Sequence, residues 1–132
     1  MRSRVPAARL QHVSTPYTRG RQEDVRAFYG DVLGLVEKQV PDSLAHMELV
    51  WFEAGPDEAE LHFLPDPVQP DPGAQRHLCL EVDDVESWRR RLEEKGVETT
   101  DDVPIPNRPR FFCRDPFGNL IEITTIQGDY RP

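Results

Sequence analysis

Apolar positions along this chain follow two rhythms. Over residues 24–34, DVRAFYGDVLG, the side chains of Val25, Phe28, Tyr29, Val32 and Leu33 recur at the three- and four-residue spacing of a helix with one buried stripe. Gly34 stands where a left-handed residue closes such a helix. The same rhythm from Asp84 to Lys95 aligns Val85, Trp88 and Leu92, and Gly96 follows. Asp83 and Glu86 have the spacing of a capping box at its start. Arg89, Arg90 and Arg91 fan around this helix and are expected to form a solvated face. The second rhythm is short alternation, read as strands at 11–14, 46–53, 60–64, 76–82, 110–114 and 119–125. Asp115, Pro116 and Gly118 hold the first, second and fourth places of a type I turn, which predicts a hairpin from the last two runs. Prolines 65, 67, 70 and 72 mark an extended connector.

The order is strand, helix, strands, and then the same again. Asp24-Val25 and Asp84-Val85 lie 60 residues apart, and the two capping glycines lie 62 apart. That period is too long for a solenoid repeat and suits a βαβββ unit copied once. The fold class predicted is α+β, a single domain over residues 8–126. Module one spans 8–66, the connector 67–75 and module two 76–126.

Composition narrows the functional classes. A chain of 132 residues has room for one domain. Its net charge of −8 disfavours a nucleic-acid partner. The apolar runs are too short for a transmembrane helix, so no membrane partner is expected. Arg2, Arg4 and Arg9 are followed by no apolar segment of the kind a secretory signal needs. Two cysteines cannot build a disulfide scaffold, and a reducing cytoplasm is the expected location.

Strand alternation also sorts the candidate chemistry. In RHLCLEV, Leu78, Leu80 and Val82 share the face that seats a helix, while His77, Cys79 and Glu81 share the other. Glu122 opposes Ile121 and Ile123, and His62 with Glu60 opposes Leu61 and Phe63. His12 opposes Val13 in the same sense. A pseudo-twofold relation between the modules would make His12 equivalent to His77, and His62 equivalent to Glu122. Such imidazole and carboxylate donors suit a divalent first-row ion such as Zn, Ni, Mn or Fe.

The phrases LQHV, EDVRAFYGDVLGLVE, ELHF, RHLCLEVDDVESWRRRLEEKGVE and RDPFGNLIEI resemble the vicinal oxygen chelate superfamily over residues 10–126. That group includes glyoxalase I, bleomycin-resistance proteins, fosfomycin-resistance thiol transferases, methylmalonyl-CoA epimerase and extradiol dioxygenases. The resemblance implies two modules whose curved mixed sheet encloses a cavity, and frequently a homodimer that builds the cavity across its interface. Family metal ligands carry over to His12, His77 and Glu122. The fourth is His62 by its apolar flanks, or Glu60 by its distance from the capping glycine. The implied function is a metal-dependent lyase or isomerase of glyoxalase type acting on a small molecule. The ion would polarise adjacent substrate oxygens and stabilise an enediolate or similar oxyanion, and Glu122 would move the proton. Two other readings stand beside it. One is a metal-free small-molecule binding protein of bleomycin-resistance type. The other is an Fe(II) extradiol-type dioxygenase using His12, His77 and Glu122.

Three further residues are candidate substrate contacts. Arg108 and Arg110, in IPNRPRF, could grip an anion through their planar forks. Trp51 and Phe52 alternate, so one of them is expected to face the cavity and the other the core. Tyr29 is expected in the core, Cys79 as a small buried thiol, and neither Cys113 nor His46 has a distinguishing context.

Overall fold

The computed structural model describes residues 5–68 and 70–131. Module one runs β1 (His12–Tyr17), α1 (Gln22–Val25, continued by a π-helical stretch Arg26–Val32), β2 (Glu37–Lys38), β3 (Val50–Glu53) and β4 (Glu60–Pro65). Module two runs β5 (His77–Glu81), α2 (Val85–Glu94), β6 (Arg110–Arg114) and β7 (Leu120–Thr124). The strands form two mixed sheets, ordered β1-β4-β3-β2 and β5-β7-β6. In each, the first strand pairs parallel with the last, and the last pairs antiparallel with the one before it. The chain is therefore α+β and internally repeated. Module two lacks a full counterpart of β2, keeping only the isolated bridge Thr100↔Phe112.

Several boundaries depart from the sequence expectation. The first helix starts at Gln22 rather than Asp24, and its second half is underwound to the wider π geometry: the Leu33 N–H bonds the Phe28 carbonyl at 2.9 Å. Gly34 still closes it at φ 77°. Asp84, not Asp83, caps α2, its side chain accepting from the Glu86 N–H at 3.2 Å. The run 46–53 becomes a strand only from Val50, because Asp42–Met47 is 3-10 helical and Glu48 turns left-handed at φ 56°. β1 runs on through Pro16, which an edge strand tolerates.

One core serves both modules. Tyr17, Tyr29, Phe52 and Phe63 from module one pack in the same cluster as Leu92, Phe111, Ile121 and Ile123 from module two. The DPFGN turn fastens the halves together. Asp115 is buried, and its Oδ1 accepts from the Phe117 and Asn119 N–H groups at 2.8 and 2.9 Å. Its Oδ2 accepts from the Tyr29 hydroxyl at 2.6 Å and the Asn119 amide at 2.7 Å. Asn119 also donates to the Pro16 carbonyl at 2.9 Å. Burial and the adjacent carboxylate push the Tyr29 hydroxyl well above its ordinary pKa, so it stays a donor.

The arginine run of α2 is not a solvated face throughout. Arg91 donates to the Asp31 and Val32 carbonyls at 2.8 and 2.9 Å, satisfying carbonyls left open at the end of the first helix. Arg89 binds Asp101 at 2.7 Å and lies over the Phe111 ring.

Candidate functional site

Because side chains alternate along a strand, residues that oppose the core stripe share the other sheet face. In module one that face carries Trp51, His62 and His12 as a stack of rings. Trp51 and His62 centroids lie 3.9 Å apart at 4°, and His62 and His12 lie 4.1 Å apart at 16°. Phe52, the alternate position, is in the core. His62 Nε2 meets Glu60 Oε1 at 2.8 Å, and Lys38 also bonds Glu60. The Lys38 ammonium first, and His62 second, hold the Glu60 carboxyl down at about 2.

In module two the corresponding face carries His77, Glu122, Phe112 and Arg110. His77 Nε2 lies 2.9 Å from Glu122 Oε1, and Arg110 Nη1 lies 3.3 Å from Glu122 Oε2. The Phe112 ring stands edge-on to His77 at 5.1 Å, under the Arg110 guanidinium at 5.4 Å. His77 Nδ1 sits 2.8 Å from the Gln75 carbonyl. A carbonyl only accepts, so Nδ1 carries the proton. In the neutral ring Nε2 then presents a lone pair to a carboxylate oxygen, and two acceptors at this separation need a proton or a metal cation between them. Cys79 shares the register position of Glu122, and desolvation first, then the Glu122 charge, pushes its thiol up to about 11.

Strand register relates the two faces. His62 pairs with Ser14, two residues beyond His12, and with Trp51. Glu122 pairs with Cys79, two residues beyond His77, and with Phe112. His62 is therefore the positional counterpart of Glu122, while Glu60, opposite His12, corresponds to Leu120, opposite His77.

The four candidate ligands do not meet as one cluster in this chain. They lie as a His12–His62 pair and a His77–Glu122 pair. Among the described residues no group of three or more His, Cys, Asp or Glu side chains is placed to hold a metal ion. A cavity of about 610 Å³ opens between β1 and the starts of β5 and β7, lined by Ser14, Thr15, Arg76, Arg114 and Asn119 among others, and of the four only His77 reaches it. Arg108 stands apart: it bonds the carbonyls of Asn107 and Gly128 and lies over the Tyr130 ring at 5.0 Å. Lys38 and the Gln75 carbonyl escaped the sequence reading. A two-residue strand has no alternation to read, and a backbone carbonyl leaves no trace in residue type.

Residues 9–123 match the family model described as the Glyoxalase/Bleomycin resistance protein/Dioxygenase superfamily. The chain belongs to that superfamily. Among solved structures, a glyoxalase family protein from Bacillus anthracis is 29% identical, with a TM-score of 0.80 over 96% of this chain and 99% of that one. A lactoylglutathione lyase from Agrobacterium tumefaciens is 23% identical, with a TM-score of 0.68 over 92% and 96%. An antibiotic binding protein from Streptomyces sp. CB03234, also 23% identical, has a TM-score of 0.73 over 92% and 98%. No curated protein matches the chain. Proteins named as a lyase and as an antibiotic binding protein thus share this fold, and no helix among the described residues is long and apolar enough to cross a membrane.

Proposed function

We propose that this superfamily member is a divalent-metal-dependent enzyme of glyoxalase type, acting on a small molecule as a lyase or isomerase. The observation that carries the reading is His77: its Nδ1–H is committed to the Gln75 carbonyl, which turns Nε2 toward Glu122 Oε1 at 2.9 Å. That is the orientation a metal-binding imidazole takes from an outer hydrogen bond. His77 and Glu122 would hold the metal from one module, and His12 and His62 from the other, with a homodimer bringing the two faces together. The bound ion would supply Lewis acidity to adjacent substrate oxygens.

The chain's own residues do the rest. Glu122 is the group to move a proton, since it is buried on the ligand face and its oxygens are oriented by His77 and Arg110. Trp51 walls the site from the other module.

One observation favours a second reading. Each carboxylate already has a cationic neighbour, Lys38 at Glu60 and Arg110 at Glu122, so both faces can be neutralised without a metal. This suits a metal-free binding protein of bleomycin-resistance type. Elemental analysis of protein purified without chelators separates the two. We expect about one divalent ion per chain, lost in His77→Ala and Glu122→Ala. Full stoichiometry in both variants, or no metal in the wild type, would overturn the metal-dependent reading. The metal found also tests the dioxygenase alternative, which requires iron and oxygen uptake.

A further inference from the structure

A cavity of about 620 Å³ opens beside β5, an edge strand of its sheet, and reaches across to module one. None of His12, His62, His77 and Glu122 lines it. Its walls include Leu33 and Leu35 from module one and Leu80, Val82 and Trp88 from module two, and the last four of these are only half-buried. Apolar walls left open to water in a concave site favour an apolar body that covers them.

The mouth of the cavity adds a sign. Glu81 and Asp83 are the only charged residues among those described in its lining, and both are exposed. They alternate with Leu80 and Val82, so acid and apolar side chains border the cavity from opposite sides of one segment. Among the described residues no arginine, lysine or histidine pairs with either carboxylate. The neighbouring acids are engaged: Asp84 caps α2, and Glu86 meets Arg89 at 3.4 Å. Two unpaired carboxylates raise the local concentration of a cation. Trp88 contributes an indole, the side-chain ring that attracts cations best. The Arg91 guanidinium lies over that ring at 5.7 Å, but it is tied to the Asp31 and Val32 carbonyls and does not line the cavity. An anion would meet two like charges here, and a purely hydrophilic cation would leave the walls uncovered.

We infer that this cavity binds a small organic monocation with an apolar body, of the aryl or branched alkyl ammonium class. The body packs against Trp88, Leu33, Leu35 and Val82, and the charged head sits at Glu81 and Asp83. The volume lies within the range of small-molecule sites. This site is separate from the faces read as the metal site and goes beyond that reading.

The probe is benzyltrimethylammonium, followed in nitrogen-15 spectra of the full-length protein. The chain has two tryptophans and therefore two indole N–H signals. The Trp88 signal is the one lost in Trp88→Phe, and Trp51, which does not line the cavity, is the internal control. The cation is expected to move the Trp88 signal saturably, with a Kd on the order of 1 mM for a ligand of so few heavy atoms. Benzyl alcohol, which is neutral, and phenylacetate, which is anionic, share the ring and should bind at least about tenfold more weakly. Glu81→Gln combined with Asp83→Asn should weaken the cation about tenfold and leave benzyl alcohol unchanged. Raised salt should act in the same direction on the wild type. Both substituted positions are exposed, so the double variant keeps the fold. No saturable Trp88 shift, equal binding of the three probes, or a cation affinity untouched by the double variant overturns the inference. A Trp88 signal that moves with protein concentration before any probe is added assigns the groove to a second copy of the chain and overturns it as well. Movement of the Trp51 signal alone puts the cation on the His62 face, again against the inference.

Discussion

Glu60 shows how one residue's surroundings set its chemistry. It lies on a strand between an ammonium and an imidazole, and the Lys38 contact is the larger reason its carboxyl is held near 2. A depressed folded-state pKa means that the unfolded chain binds the proton more readily. The stabilisation is complete above the ordinary value of 4.5 and disappears as pH falls from there toward about 2. In metal-free protein, Glu60→Gln should flatten the fall in stability across that window while leaving the neutral-pH baseline shifted only modestly. Urea midpoints measured at several pH values check this; an unchanged acid slope would contradict it. Residue-scale facings of this kind were legible beforehand. Alternation along β4, β5 and β7 placed His62, His77 and Glu122 opposite the core stripe, and the structure has Leu61, Ile121 and Ile123 buried on the other side.

At the scale of elements, α2 is the better specified of the two helices. Its stripe, its N-cap and its terminal glycine agree, and Asp84 reaches the Glu86 N–H. Asp84→Ala should cost about 1 kcal/mol, the usual worth of such a cap, as a lowered urea midpoint with unchanged slope. A loss near zero would mean that packing alone sets the start of the helix. The first helix was less legible, because the i, i+4 stripe that signals an α-helix persists in the sequence while the chain winds to π geometry over Arg26–Val32. Tyr29 there is bonded to Asp115 from the far module, a contact 86 residues away that no local window contains. The start of the strand expected at 46–53 was misread for a related reason. Its apolar residues do not alternate cleanly, and the left-handed Glu48 resets the chain before β3 begins. The Tyr17 hydroxyl donates to the Glu48 carbonyl at 2.5 Å and helps to hold that turn in place.

At the scale of the whole molecule, the proposed metal site requires the His12–His62 and His77–Glu122 pairs to meet. If module one of one copy faces module two of another, His12→Ala and His77→Ala homodimers each lose every site. Mixing and refolding them should restore about a quarter of wild-type metal, because random pairing makes half the dimers mixed and each of those keeps one intact site of two. No recovery in a verified mixed dimer would place the ligands within single chains. The sequence by itself determined the duplication, the α+β order, the closing glycines of the two helices and the facing of His62, His77 and Glu122, and left Trp51 and Phe52 as alternatives. All of these follow from local periodicity and turn chemistry, which a short window contains. Only the tertiary structure decided that His62 rather than Glu60 matches Glu122, that Asp115 and Tyr29 bind the modules together, and that the four donors stand as two separate pairs. Those outcomes depend on strand register and on packing between residues far apart in the chain, where spacing along the sequence no longer reports distance in space.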